Sequence, residues 1–255
     1  MYYIQTISKN TFSLYVMKKK LLDITPKLLT ENDLPYSDGL PMESQKHVMQ
    51  LQLLMDTLKE HYKDQNVYVG GNMFVYFSPD QVKTEDFKGP DFFVALNVTN
   101  RLRKSWVVWE EGKGPDLVIE LLSKSTKKID QNEKKWIYQD KLKVSEYFWY
   151  DPWTGEWAGF RLTEGAYESI QEDQDNHLIS RKLNLALCQW EGLYQDVDST
   201  WLRWCDTEGN LLLLLSEKER HRANIEHLRA NQERQRADRL AEQLKNLGVN
   251  PDDSL

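Results

Sequence analysis

The chain has 255 residues, a formal charge of −7, and 40% hydrophobic beside 29% charged residues, an ordinary balance for a soluble protein with a buried core of one or two domains. No apolar run nears the roughly 18 residues of a membrane span, and the acidic average excludes a non-specific nucleic-acid coat, whose affinity comes from Lys and Arg. Two cysteines, Cys188 and Cys205, without a second pair or histidines at zinc-site spacing, read as reduced thiols of a cytoplasmic protein.

In chain order, residues 1–35 are mixed and Lys-rich (Lys18, Lys19, Lys20), with Pro26 and Pro35 breaking any long helix, so an N-terminal arm or edge element is expected. A core domain follows over 36–205. Its first element is a helix over 47–62, where Val48, Leu51, Leu54, Met55 and Leu58 recur at helical spacing. Short β-branched or aromatic runs bounded by Gly, Pro, Asp or Asn predict strands at 67–77, 92–98, 106–109, 117–122, 147–150, 157–162 and 167–170. A second helix is predicted over 126–142, with Ile129, Trp136, Ile137 and Tyr138 as its apolar members and Ser123 and Ser125 before it as candidate caps. This order predicts an α/β fold around a central mixed sheet, with Asp151 to Gly155 turning the chain into a hairpin. The tail, 206–255, has no Gly or Pro between Ser216 and Leu247, which predicts one charged helix about 48 Å long. A heptad frame through Ala223, Glu226, Ala230, Glu233, Ala237, Leu240, Leu244 and Leu247 leaves two readings, a solvated helix or a coiled coil.

Two carboxylates stand out against these strands. Asp91 opens the strand after Gly89-Pro90, and Glu120 interrupts the Leu117-Val118-Ile119-Glu120-Leu121-Leu122 run. An acid inside such a run is costly to bury unless neutralised, and a divalent cation shared by two carboxylates does that. Read singly, Asp91 could be a turn carboxylate and Glu120 an edge-strand residue facing water; Asp116, one step before its strand, reads as a turn residue. A third group is needed to orient water or offset charge. Lys134 lies on the following helix with Asp130 and Tyr138 one turn either side, whereas Lys135 points about 100° away. Between Arg101 and Lys143 there are eleven Lys/Arg against seven Asp/Glu, a local +4 in a chain of −7.

The ordered set Pro90-Asp91, then Pro115-Asp116-Leu117-Val118-Ile119-Glu120-Leu121-Leu122-Ser123-Lys124-Ser125-Thr126, then Asp130, Lys134 and Tyr138, then Glu146 to Pro152, closely resembles the Uma2 family of endonucleases. That family is abundant in cyanobacteria and belongs to the PD-(D/E)xK nuclease-like superfamily; the resemblance covers roughly residues 35–205. It implies a restriction-endonuclease-like core in which Asp91, Glu120 and the backbone carbonyl of Leu121 hold Mg²⁺, with Mn²⁺ able to substitute. Where the superfamily has a lysine two residues after the glutamate, this chain has Leu122, and the resemblance moves that role to Lys134. It further implies a catalytic role for Glu43, and substrate contacts for His47 and the basic residues Lys124, Lys127 and Lys128. The substrate expected is nucleic acid, DNA in particular, with a homodimer formed through the nuclease domain or the tail helix. Two rival readings stay open: a nuclease fold that no longer cleaves and serves as a DNA-binding or interaction module, and an interaction protein organised by its tail.

Overall fold

The computed structural model describes residues 28–36, 44–79 and 87–247. Helix α1 (Gln45–His61) opens the core, its N-terminus capped by the Ser44 side chain, which accepts the His47 N–H. A six-stranded mixed sheet follows, built from β1 (Val67–Gly71), β4 (Phe92–Leu96), β6 (Leu117–Leu121), β7 (Glu146–Tyr150), β8 (Trp157–Thr163) and β9 (Ala166–Ile170), in that spatial order. All pairs are antiparallel except β6 with β7. The connection between those two carries the second helical segment, as a parallel crossover requires.

The expected strand over 67–77 is broken. Asn72 sits in the left-handed region at φ 47°, and the chain leaves the main sheet there. β2 (Val75–Tyr76) pairs instead with β3 (Phe87–Lys88) and β5 (Trp106–Val107) in a small separate sheet. A single helical turn, α2 (Val108–Glu111), ends what reads as a strand over 106–109. Leu34 packs with Tyr76 and Val107, and the Tyr76 hydroxyl donates to the Pro35 carbonyl at 2.6 Å. The last part of the N-terminal segment thus belongs to this subdomain; residues 1–27 lie outside the described residues.

A third sheet lies beyond the predicted strands: β10 (Leu178–Ser180), β11 (Leu185–Tyr194) and β12 (Val197–Cys205), all antiparallel. Its inner face (Leu178, Leu185, Leu187, Leu202, Trp204) packs with Leu51, Leu54 and Leu58 of α1 and with Phe92, Ile119, Leu121 and Phe148 of the main sheet. Helix α1 is therefore covered on two sides. Met49 and Leu53 meet Tyr194 and Trp201, and Gln50 joins the backbone of Leu202, giving Nε2 to its carbonyl at 2.8 Å and taking its N–H at 2.9 Å. Val48, expected on the apolar face, is exposed, whereas Met49, Gln50 and Leu53 are buried. The other face of the main sheet is covered by the segment after β6. That segment is a π-helical turn (Ile129–Lys134) running into α3 (Lys135–Asp140), not one regular helix. The chain ends its described part in α4 (Leu215–Asn246), none of whose residues is buried.

Candidate active site

The register of β4 on β6 pairs Phe93 with Val118 and Phe92 with Ile119. One step further sets Asp91 opposite Glu120. Alternation along each strand then sends Asp91, Phe93 and Ala95, with Val118 and Glu120, to the face that packs under Ile137 and Tyr138 of α3. The two carboxylates that stand out in sequence thus share one sheet face on adjacent strands.

Glu120 is fully buried, and each of its oxygens has a partner. Lys134 Nζ lies 3.0 Å from Oε2, and the Tyr138 hydroxyl donates to Oε1 at 2.6 Å. The same ammonium lies 2.8 Å from Oδ1 of Asp130, itself buried. Asp91 keeps a little surface at the mouth of the strand, and its Oδ2 accepts the Leu121 N–H at 2.8 Å. Asp130 and Lys134 both face inward from the π-helical turn. Such turns widen a helix by one residue and shift the side chains that follow, and this one is anchored by the Tyr147 hydroxyl, which donates to the Asp130 carbonyl at 2.7 Å.

The electrostatics follow from burial. Loss of water raises the Glu120 carboxyl to about 8, with Lys134 opposing and Asp91 and Asp130 adding to the rise. Burial likewise raises Asp91 against the pull of Lys134. At Lys134 burial acts downward, but the carboxylates of Glu120, Asp130 and Asp91 outweigh it and hold the ammonium above its ordinary value. Three acids, fully ionised, set −3 against the +1 of Lys134 and leave −2, the charge one divalent cation would offset. The donor set is hard oxygen, which suits Mg²⁺ or Mn²⁺.

Leu121 offers a further oxygen. Its N–H turns toward the Asp91 side, and the same register sets Pro90 opposite it. Proline has no N–H to give the Leu121 carbonyl, so the Pro-Asp pair removes a ladder donor beside the two carboxylates.

The remaining expected site residues are placed as follows. His47 is buried, its Nδ1 2.7 Å from the Ser44 hydroxyl and its Nε2 3.1 Å from the Leu122 carbonyl. It ties the start of α1 to the end of β6 rather than facing solvent. Leu122, at the superfamily's lysine position, is fully buried. Lys124 and Lys128 are exposed, while Lys127 ion-pairs with Glu156 and lies 3.8 Å from Asp151. Lys135 turns away from the carboxylates and sits over the Phe160 ring, 3.3 Å from its centroid. Glu43 lies outside the described residues. The roles of His47 and Tyr147 escape sequence reasoning because their partners stand 75 and 17 positions away.

A family model, Uma2, described as "Putative restriction endonuclease", matches residues 30–191. The chain belongs to the Uma2 family. No curated protein matches it. The mixed sheet that carries Asp91 and Glu120 agrees with the restriction-endonuclease-like fold of that family. The Uma2 match ends inside β11, so β12 and α4 lie beyond it. Among the described residues no helix is long and apolar enough to cross a membrane.

Proposed function

We propose that this Uma2 protein is a metal-dependent endonuclease that hydrolyses phosphodiester bonds in DNA, with Mg²⁺ held by Asp91, Glu120 and the Leu121 carbonyl. The observation that carries the reading is the pair of opposed carboxylates on one sheet face, with the Lys134 ammonium set among Glu120, Asp130 and Asp91. Bound there, the cation would polarise a phosphoryl oxygen and lower the pKa of its water.

The chain's own residues do the rest. Tyr138 fixes one Glu120 oxygen, so the carboxylate cannot rotate away from Asp91. Lys134, anchored on Asp130 as well as on Glu120, would remain held by Asp130 with a cation bound at Glu120, and could turn its remaining N–H groups to the scissile phosphate, where charge develops. His47 holds the Leu122 carbonyl and thereby the end of β6, a positioning role in place of a substrate contact. Lys124 and Lys128 steer the phosphate backbone without reading bases. Glu43, two residues before α1 in the sequence, is proposed as the additional acidic group. Homodimerisation, through the nuclease domain or α4, is part of the same proposal.

The test is cleavage of linear and supercoiled DNA by the full chain with Mg²⁺, with Mn²⁺ and with EDTA. Cleavage that requires the cation and vanishes in Asp91→Asn and Glu120→Gln supports the reading. Folded protein that binds DNA but cuts none under any cation would assign the chain to a non-cleaving DNA-binding module.

A further inference from the structure

The two thiols lie on the outer face of the small sheet, apart from the carboxylate site. Along β11, Leu185 and Leu187 point into the main core, and Ala186 and Cys188 point out; along β12, Leu202 and Trp204 point in, while Cys205 points out. Ile179 and Leu211 pack beside the thiols, and Leu211 bridges back to Cys205. His177 comes to the same place from the turn before β10. Asp173 fixes that turn: its N–H donates to the His177 carbonyl at 3.0 Å, its Oδ1 accepts the His177 N–H at 2.8 Å, and its Oδ2 lies 3.6 Å from the His177 Nδ1. The turn at Gly209 backs the ring so closely that a Cβ there would stand 3.4 Å from His177 Cε1. A ring nitrogen of His177 and the sulfurs of Cys188 and Cys205 all lie within 4.8 Å of one another.

We propose that His177, Cys188 and Cys205 bind a thiophilic divalent cation of the zinc class. Tetrahedral zinc, with bonds of about 2.3 Å to sulfur and about 2.0 Å to nitrogen, sets its ligand atoms about 3.5 to 3.8 Å apart. The three atoms therefore need to close by about 1.3 Å at most. Thiolate and imidazole select zinc over Mg²⁺. Asp173 Oδ2, 3.6 Å from Nδ1, is near enough to become that nitrogen's partner on binding, in which case Nε2 would take the metal, with water completing the fourth position.

The strand register argues against the simpler alternative, a disulfide. Cys205 stands opposite Ala186 and Cys188 opposite Arg203, so the cysteines are diagonal neighbours. Diagonal Cβ atoms are typically about 7 Å apart, well beyond the roughly 4.5 Å that an S–S bond spans. A cation bridges the longer gap. It would fasten the turn before β10 to β11 and β12, three segments joined otherwise by strand pairing and packing, and binding only the folded state it would raise stability.

The experiment is a Co²⁺ titration of the reduced, EDTA-treated and dialysed full chain, followed by optical absorption. One Co²⁺ per chain is expected, with thiolate-to-cobalt charge transfer and the d–d bands of a tetrahedral centre. Equimolar Zn²⁺ should displace it and raise the melting temperature, whereas a large excess of Mg²⁺ should do neither. His177→Ala alters a partly exposed ring, so the variant folds and should weaken Co²⁺ affinity by about tenfold or more. Cys188→Ser with Cys205→Ser should abolish the charge-transfer band. The proposal is overturned if the wild-type chain gives no such band, if His177→Ala binds unchanged, or if the thiols pair as an intramolecular disulfide in the presence of Zn²⁺. None of these readouts depends on DNA cleavage.

Discussion

At the scale of the single residue, the proposed chemistry turns on Glu120. A carboxyl that titrates at about 8 in the folded chain against 4.5 in a free one holds its proton more tightly when folded. Folding therefore grows less favourable as pH rises from 4.5 toward about 8, and no further change from this group follows above that. Glu120→Gln should remove this slope and stabilise the metal-free protein at pH 8 by up to a few kcal/mol, read as a higher melting temperature. The same proton would compete with a cation bound as proposed. Mg²⁺ affinity should climb by about tenfold per pH unit below the Glu120 pKa, as one proton leaves per ion bound, and then level off. Calorimetric titration in buffers of different ionisation enthalpy checks this; a flat affinity profile would separate Glu120 from the metal. Lys134→Met should lose cleavage by about 100-fold or more yet still bind the ion, because it removes charge stabilisation and leaves the oxygens. Lys135→Met should retain most activity, its ammonium being turned to Phe160. Asp91, Glu120 and Lys134 were legible in sequence because a carboxylate in an apolar strand is conspicuous and the helical spacing that follows points one lysine back at it. His47 was not, since what it holds is a backbone carbonyl that only the fold brings near.

Among the elements, the π-helical turn is the one whose form matters most to the site. A regular helix over 129–140 would place Asp130, Lys134 and Tyr138 on one stripe, as the spacing suggests. The wider turn changes the pitch under the same four-residue spacings and still delivers all three, because Glu120 lies beneath and Tyr147 ties the Asp130 carbonyl down. Deleting Gln131 should let the segment revert to α-helical pitch with Asp130 and Lys134 only three residues apart, which turns them about 60° away from one another around the helix axis. The expected result is a loss of cleavage of about 100-fold with a modest fall in melting temperature, since misplacement by about 1 Å suffices for that. Unchanged cleavage would mean that the turn is incidental. Sequence periodicity sees only where side chains recur, and a single inserted residue hardly disturbs it. It also left β10 to β12 unseen, although Leu185, Leu187, Leu202 and Trp204 alternate with residues of the opposite face. Without knowing that this hairpin caps α1, the burial of Met49, Gln50 and Leu53 had no visible cause.

For the whole molecule, the question is how a solvent-exposed helix is held to the core and whether it has a partner. Arg203, buried on β12, gives both terminal nitrogens to Glu217 at 2.8 and 2.7 Å and one of them to the Leu212 carbonyl at 2.9 Å. Glu217 also accepts the Leu214 N–H at 2.8 Å, so one side chain caps the helix and neutralises the buried guanidinium. Glu217→Ala should cost about 2 kcal/mol, less than for a fully buried pair because the glutamate keeps some exposure, and should leave the rest of α4 loosely attached. Truncation after residue 218 should cost far less, since no residue of α4 is buried and the clamp survives. Beyond the clamp, Ile225, Leu228, Leu240, Leu244 and Leu247 are exposed in the single chain. If Leu240, Leu244 and Leu247 form a self-pairing seam, glutamate at Leu240 and Leu244 places two charges where apolar surface must be covered, at a cost of several kcal/mol for the pair. Sedimentation should then show a dimer becoming a monomer with an unchanged melting temperature of the core. Glu226 and Glu233 occupy the same heptad frame and oppose pairing over the first half of the helix, so the seam is confined to its last turns. A wild-type chain already monomeric at micromolar concentration would leave α4 as a solvated helix, anchored at one end by Arg203.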